Sequence, residues 1–311
     1  MIKKNDLIYV AGHNGMIGSA IVKKLKAKGY NNILLKSKNQ LNLLDTIKTY
    51  KFLKKYKPRF IFIAAAKVGG ILDNKSHSAD FIFQNLQIQN NIINGAWNAG
   101  IKNLIFLGSS CIYPKFCRQP MKETDLLTGK LEETNEAYAI AKIAGIKLCE
   151  SYNKQYNTEY RCLMPTNAFG PNDNYDPTNS HFIPALIRKL HNLKKNKKTN
   201  KLVIWGNGKA KREIIHSEEI ADACVFFMNK KNIPDLLNIG TGRDYTILEY
   251  AKMFAKYLNV KIEIKLDKTK PNGMPRKVMD VSMAKKYGWY AKMPLKSAIV
   301  STYRSYINET K

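Results

Sequence analysis

The sequence predicts an α/β fold: a doubly wound parallel sheet covered by helices on both faces, followed by a smaller mixed C-terminal unit. Three observations carry this. Short apolar runs alternate with longer amphipathic ones through the first half of the chain, the rhythm of strands alternating with covering helices. The run Phe60–Ala66 is apolar without period-two alternation, as expected of a strand buried on both sides. A glycine-rich turn, Gly12-His13-Asn14-Gly15-Met16-Ile17-Gly18, follows the first apolar run and opens the first amphipathic one.

Taken in order, the strand candidates are Leu7–Ala11, Asn32–Leu35, Phe60–Ala64, Asn103–Leu107 and Tyr160–Met164. Between them, apolar residues recur at helical spacing near Ile17–Lys28, Asp45–Lys57, Asp80–Ala99 and Ala137–Tyr156. The rhythm changes after about Pro165, where Pro, Asn and Asp crowd Pro171–Ser180 before a helix around Ile183–Leu193. Lys201–Trp205 reads as a strand, Ser217–Met228 as a helix and Leu236–Ile239 as a strand that returns to the main sheet. Thr246 and Glu249 form a Thr-x-x-Glu capping box that starts the helix Ile247–Leu258. The expected division is a dinucleotide-binding domain over residues 1–170, with a returning segment near 213–242, and a mainly substrate-binding domain over 171–311.

A chain of 311 residues can bury a sizeable core. No apolar run approaches the roughly 20 residues of a membrane helix, and Leu7–Ala11 is too short for a signal-peptide core. The expectation is a cytoplasmic protein with no membrane partner. The five cysteines are odd in number and contain no CxxC pair, which argues for reduced thiols and against a metal or disulfide framework. Fifty-two Lys and Arg against 24 Asp and Glu give a net charge of +28. These cations are dispersed, apart from a run at Lys194–Lys201, so they read as a solvated surface with no nucleic-acid partner. The field they create would still draw in a phosphorylated substrate.

The glycine turn is the cofactor signal. Glycines between a strand and a helix let the backbone approach a pyrophosphate, which then meets free amides at the helix N-terminus; this is the Rossmann arrangement. The spacing here is Gly-x-x-Gly-x-x-Gly. NAD-binding chains usually place an acid at the end of the second strand, but this chain has Lys36 and Lys38, with no acid until Asp45. Cations there suit the 2′-phosphate of NADP(H).

The reaction signal lies in the middle of the chain. Tyr138 and Lys142 stand four apart in a helical stretch and share one face. An ammonium beside a phenol favours the phenolate, so the tyrosine pKa is expected to fall towards working pH. Such a phenol exchanges a proton with a carbonyl oxygen while hydride moves at the adjacent carbon. Ser109 would supply a second hydrogen bond to that oxygen. Cys111, two residues later, is surplus to plain carbonyl reduction. Read singly, Cys111 also fits a small buried hydrophobe, and His181 a cap for the helix that follows it.

Longer segments add to this reading: Ala64-Ala65-Ala66-Lys67-Val68-Gly69-Gly70-Ile71, Leu107-Gly108-Ser109-Ser110-Cys111-Ile112-Tyr113-Pro114, Tyr138 through Tyr152, Met164-Pro165-Thr166-Asn167 and Asn179-Ser180-His181. With them the chain resembles the extended short-chain dehydrogenase/reductase family from its first strand to Gly288-Trp289-Tyr290. Within that family, a cysteine after Gly-Ser-Ser together with the later Ser-His resembles the members that epimerise C3 and C5 of GDP-4-keto-6-deoxy-D-mannose and then reduce C4. The resemblance implies acid and base roles for Cys111 and His181, proton donation by Tyr138, and a keto oxygen held by Ser109. It also implies that Lys142 bonds the nicotinamide ribose, and that Leu107, Gly108, Ser110, Pro165, Thr166, Asn167, Ala168 and His181 line the cofactor. Lys189, Trp205, Arg212 and Asn272 match the positions that grip the GDP-sugar. Departures from the family pattern are Asn14, Lys36 and Lys38 for arginines, Lys189 for arginine, Asn272 for aspartate, and Ala168-Phe169 for a larger residue and a tyrosine. The family further implies a homodimer through the Asp80–Ala99 and Ala137–Tyr156 helices. The competing enzyme reading is a nucleotide-sugar 4-epimerase or dehydratase that holds NAD tightly.

Overall fold

The computed structural model describes residues 2–177, 180–196, 199–270 and 274–309. The chain runs β1 (Ile8–Ala11), α1 (Met16–Ala27), β2 (Ile33–Leu34), α2 (Thr46–Tyr56), β3 (Phe60–Ile63), α3 (Ile71–Ser76), α4 (Ser78–Asn98), β4 (Asn103–Leu107), α5 (Glu136–Tyr156) and β5 (Glu159–Pro165). It continues through β6 (Asn167–Phe169), α6 (Phe182–Lys195), β7 (Lys201–Trp205), β8 (Lys211–His216), α7 (Ser217–Met228) and β9 (Leu236–Ile239). The last elements are β10 (Asp244–Thr246), α8 (Ile247–Leu258), β11 (Glu263–Asp267), β12 (Arg276–Lys277), α9 (Ser282–Lys286) and α10 (Leu295–Glu309).

Six strands form one parallel sheet in the order β2-β1-β3-β4-β5-β9. Alternate residues of a strand face opposite sides, and here both sides are apolar. Tyr9, Ala11, Ile61, Ile63, Leu104 and Phe106 join a core with α2, α4 and α5. Ile8, Val10, Phe60, Phe62, Ile105 and Leu107 join a second core with α1 and α7. Burying each such side chain contributes about 1.5–3 kcal/mol, which makes the sheet the rigid part of the molecule. The predicted return of Leu236–Ile239 is observed, with Cys162 to Pro165 of β5 paired to Leu236 to Ile239 of β9.

The helices end where their sequences dictate. Asp45 caps α2 by accepting from the Lys48 amide at 2.9 Å, and the predicted Thr246–Glu249 capping box opens α8. Asn157 and Asn259 adopt left-handed conformations after α5 and α8, which asparagine tolerates better than most residues.

A third core unites Phe169, Ile214, the inner faces of α6, α8 and α10, and Leu202 and Ile204 of β7. The strands around it are short. β8 pairs parallel with β6 and β12 and antiparallel with β10, while β7 pairs parallel with β11. Strands β6, β8, β10, β11 and β12 and helices α3, α9 and α10 are absent from the sequence expectations. Two to six residues with charged or half-buried positions carry little periodicity, so β-pairing partners far along the chain decide these strands.

Candidate active site

The chain crosses from β2 back over β1 to β3, so the sheet order reverses between β1 and β3. Ligands of open α/β sheets bind outside the carboxyl ends of the strands at such a reversal. The glycine turn sits there. Gly12 has φ +84°, and a Cβ on it would lie 2.6 Å from the Ala65 nitrogen. A Cβ on Gly18 would lie 2.1 Å from the Gly12 carbonyl oxygen. Both positions therefore require glycine, and the turn folds tightly against the end of β3. Gly15 is the N-cap residue of α1, which has no side-chain cap and no acid in its first turn. The helix amides are thus left for an anion. The His13 Nδ1 atom is buried without a hydrogen-bond partner. Lys36 is half-buried and Lys38 exposed just beyond β2. These residues fit a dinucleotide with a 2′-phosphate.

Next along the rim, β4 delivers Leu107 and Gly108 to the turn that bears Ser109. A Cβ on Gly108 would strike the Met164 side chain at 2.2 Å, so the β4 and β5 ends close against each other. Pro165, Thr166, Asn167 and Ala168 follow from β5, and the Asn167 Nδ2 donates to the Glu213 carbonyl at 2.7 Å. Ser109 caps a single 3-10 turn, Ser110–Ile112, which buries Ser110 and Cys111. The Ser109 hydroxyl lies beside both the Cys111 amide, at 3.5 Å, and the thiol.

Helix α5 brings Tyr138 and Lys142 to this turn. A Cβ on Gly145 would meet the Phe106 ring at 2.6 Å, so glycine is what lets α5 lie close to β4. The Lys142 Nζ donates to the Leu107 carbonyl at 2.9 Å, lies 4.6 Å from the Phe106 ring centre and 5.7 Å from that of Tyr138. Gln89 of α4 steadies this part of the helix by donating to the Ala141 carbonyl at 2.6 Å.

The structure corrects one expectation here. Burial pushes the Tyr138 phenol up, and the neighbouring Cys111 adds to the rise. The ammonium does not offset this, because it is itself buried and engaged by the Leu107 carbonyl. Burial pulls Lys142 down to about 8, with Cys111 acting in the opposite sense.

The Cys111 thiol is also pushed up by burial. Lys277, Ser109 and Lys142 act against that rise, Lys277 most strongly. Lys277 is thus a site residue that the sequence reading missed as such. It stands in the run Lys270–Lys277, but only the pairing of β12 with β8 reveals where it points its charge.

His181 stands at the start of α6. It is the N-cap residue, yet its side chain makes no cap hydrogen bond, so capping does not account for the imidazole. The residue as a whole is exposed, yet the protein around its ring desolvates the imidazole enough to lower its pKa. Among the described residues no contact joins it to Ser109, Cys111, Tyr138 or Lys142. His216, by contrast, is structural: it accepts from the Glu218 amide and meets the Ser301 hydroxyl at 3.2 Å.

The residues matched to the GDP-sugar lie around β7 and β8. The Lys189 Nζ donates to the Val203 carbonyl at 2.9 Å, and desolvation lowers its pKa. Trp205 is 52 % exposed, with the Lys270 ammonium 5.6 Å from its ring centre. Arg212 is half-buried and donates to the Lys211 and Met274 carbonyls. Asn272 lies outside the described residues. Among the described residues no cluster of three potential metal ligands occurs, and no helix is long and apolar enough to cross a membrane.

Comparison with known proteins follows the same lines. Residues 8–240 match the NAD dependent epimerase/dehydratase family. The chain is 45% identical over 309 residues to GDP-L-fucose synthase of Escherichia coli (strain K12), covering 96% of each chain. It is 46% identical over 307 residues to GDP-L-fucose synthase 1 of Arabidopsis thaliana, covering 99% of this chain and 95% of the other. Among solved structures, a GDP-mannoheptose C4 reductase from Campylobacter jejuni with NADP bound superposes with a TM-score of 0.90 at 36% identity, covering 99% of this chain and 100% of that one.

Proposed function

The chain belongs to the NAD dependent epimerase/dehydratase family, and on that premise we propose which of its side chains carry the reaction. It converts GDP-4-keto-6-deoxy-D-mannose to GDP-L-fucose by epimerisation at C3 and C5 and reduction at C4. The cofactor is NADP(H), which as NADPH supplies the hydride to C4 when bound. A 4-epimerase or dehydratase that holds NAD tightly is not favoured.

The observation that carries the assignment of residues is the convergence of a thiol, a hydroxyl, a phenol and an ammonium at the carboxyl end of β4. A 4-keto group acidifies the hydrogens on C3 and C5, because either carbanion delocalises into an enolate. Inversion needs a base on one face of the ring and an acid on the other, roles given to Cys111 and His181. Ser109 holds the keto oxygen. Tyr138 then delivers the proton to O4, and Lys142 supplies the positive charge that favours its phenolate afterwards. The turn Gly12–Gly18 takes the pyrophosphate and Lys36 and Lys38 the 2′-phosphate. Leu107 to Ser110 and Pro165 to Ala168 form the floor beneath the nicotinamide end, with His181 at its edge. Lys189, Trp205, Arg212 and Asn272 hold the GDP moiety, within a substrate part spanning mainly residues 171–311. The protein is read as a cytoplasmic homodimer. Five free cysteines accord with a reducing compartment, and Phe83 of α4 and Ile140 of α5, 61 % and 43 % exposed, offer an apolar face to a second copy.

Purified protein given GDP-4-keto-6-deoxy-D-mannose and NADPH is expected to oxidise one NADPH for each GDP-L-fucose formed. Sugar turnover without net NADPH oxidation would contradict the assignment.

A further inference from the structure

One buried charge has no part in the chemistry above. Glu213 of β8 is fully buried, and a carboxylate taken out of water is costly unless hydrogen bonds satisfy it. Its two oxygens are satisfied by two separate segments. Oε1 accepts from the Thr241 and Gly242 amides, at 2.5 and 2.7 Å, and from the Thr241 hydroxyl at 3.3 Å. Oε2 accepts from the Met279 amide at 2.7 Å. Gly240 leaves room for it, since a Cβ there would lie 2.2 Å from Oε1. Burial pushes this carboxyl up, while the amides act to keep it ionised.

Met279 ends a strap that begins with β12. The far edge of the strap is tied to the segment after Cys111: Val278 donates to Gln119 Oε1, its carbonyl accepts from the Met121 amide, and Asp280 donates to the Met121 carbonyl. The near edge pairs with β8, with Lys277 in register with Arg212. Burial lowers the Lys277 pKa most; Cys111 opposes that, and the neighbouring Arg212 cation adds to it. Among the described residues neither cation has a carboxylate within 4.0 Å. The strap must therefore be held by its main chain, and the charge-assisted bond from Met279 to Glu213 is suited to that. Besides burial, the groups acting on Cys111 are Lys277 from the strap, the Ser109 hydroxyl and Lys142 from α5, while Cys111 in turn acts on Tyr138. Those acting on Lys277 are Cys111, Arg212, Cys117 and Glu132.

We propose that Glu213 is a positioning residue for the epimerisation: its carboxylate anchors the strap that carries Lys277 and is tied to the segment following Cys111. The proposal rests on the reading of Cys111 as the base. Lys277 is the strongest influence opposing the rise of that thiol, so a loosened strap leaves less thiolate at neutral pH.

The test is the pH profile of solvent deuterium uptake at C3 and C5 of GDP-4-keto-6-deoxy-D-mannose, without NADPH, in wild type, Glu213→Gln, Lys277→Met and the double variant. Glutamine keeps the shape but turns an NH2 group towards one of two amide-donating segments, so one anchor is lost. Lys277→Met is expected to move the profile up by about one pH unit, about tenfold less exchange at neutral pH. Glu213→Gln should move it in the same direction, and the double variant no further than Lys277→Met alone. NADPH affinity should stay at the wild-type value. Gly240→Ala, which crowds the carboxylate without removing its charge, should shift the profile as well and serves if Glu213→Gln fails to fold. An unshifted profile in the variants of Glu213 and Gly240, an unshifted profile in Lys277→Met, or shifts that add in the double variant would each overturn the proposal. Absence of exchange in the wild type would instead overturn the reading of Cys111 itself, and the proposal with it.

Discussion

Lys142 is 3 % exposed and donates to a main-chain carbonyl at the end of a buried strand, whereas Trp205 is 52 % exposed on a strand with one partner. The contrast runs through the whole site. On the β4–α5 side, Ser109, Cys111, Tyr138 and Lys142 are set by the sheet and by Gly145, and Cys111 already acts on both Tyr138 and Lys142. On the α6–β7–β8 side, His181 makes no side-chain cap bond, and Lys189 and Arg212 rest on main-chain carbonyls. Where protons and hydride are proposed to move, the side chains are held by the sheet, and geometry fixed in advance lowers the cost of reaching a transition state. The groups proposed to receive the nucleotide are held by main-chain carbonyls or stand exposed. The two halves should therefore respond to substitution in different ways.

The largest effect is expected on the preassembled side. Tyr138→Phe should cut NADPH oxidation by about 10²–10⁴-fold, while deuterium uptake at C3 and C5 persists. Retained reduction in that variant would move the proton donor elsewhere. Gly18→Ala tests whether the cofactor turn is as tight as the 2.1 Å approach to the Gly12 carbonyl demands. Overpacking of this kind costs roughly 1–3 kcal/mol, so NADPH affinity measured by fluorescence titration should fall about tenfold. Wild-type affinity would mean that the turn yields easily.

A smaller, structural effect should appear beyond the nucleotide side, at His216. Burial holds its imidazole at about 4, against an ordinary value of 6.5, with Glu218 opposing and Lys23 adding to the shift. The folded state then binds fewer protons than the unfolded one between those values. Stability from this group is complete above pH 6.5 and drains away as pH falls to about 4. The loss is on the order of 3 kcal/mol. His216→Asn, which retains an acceptor for the Glu218 amide, should flatten this part of the curve of Tm against pH. An unchanged slope would remove His216 as its source.

What was legible in the sequence follows the same division. Phe60–Ile63, Asn103–Leu107 and Leu236–Ile239 announce themselves because both faces of each strand are buried, leaving dense apolar runs. The pair Tyr138 and Lys142 is legible because helical spacing alone puts both on one face. Lys277 and Glu213 were not legible as neighbours of the site, because β12 meets β8, and Met279 meets the Glu213 carboxylate, only through contacts between segments more than 60 residues apart. The direction of the Tyr138 shift was misjudged for a related reason. Sequence spacing gives the lysine's proximity but not the burial that outweighs it, nor the Leu107 carbonyl that engages the ammonium.

The account stands most directly on the thiol. Solvent deuterium uptake at C3 and C5 should be lost in Cys111→Ser while NADPH still binds with wild-type affinity. Uptake at the wild-type rate in that variant would contradict the account and leave a reductase without an assigned epimerase base.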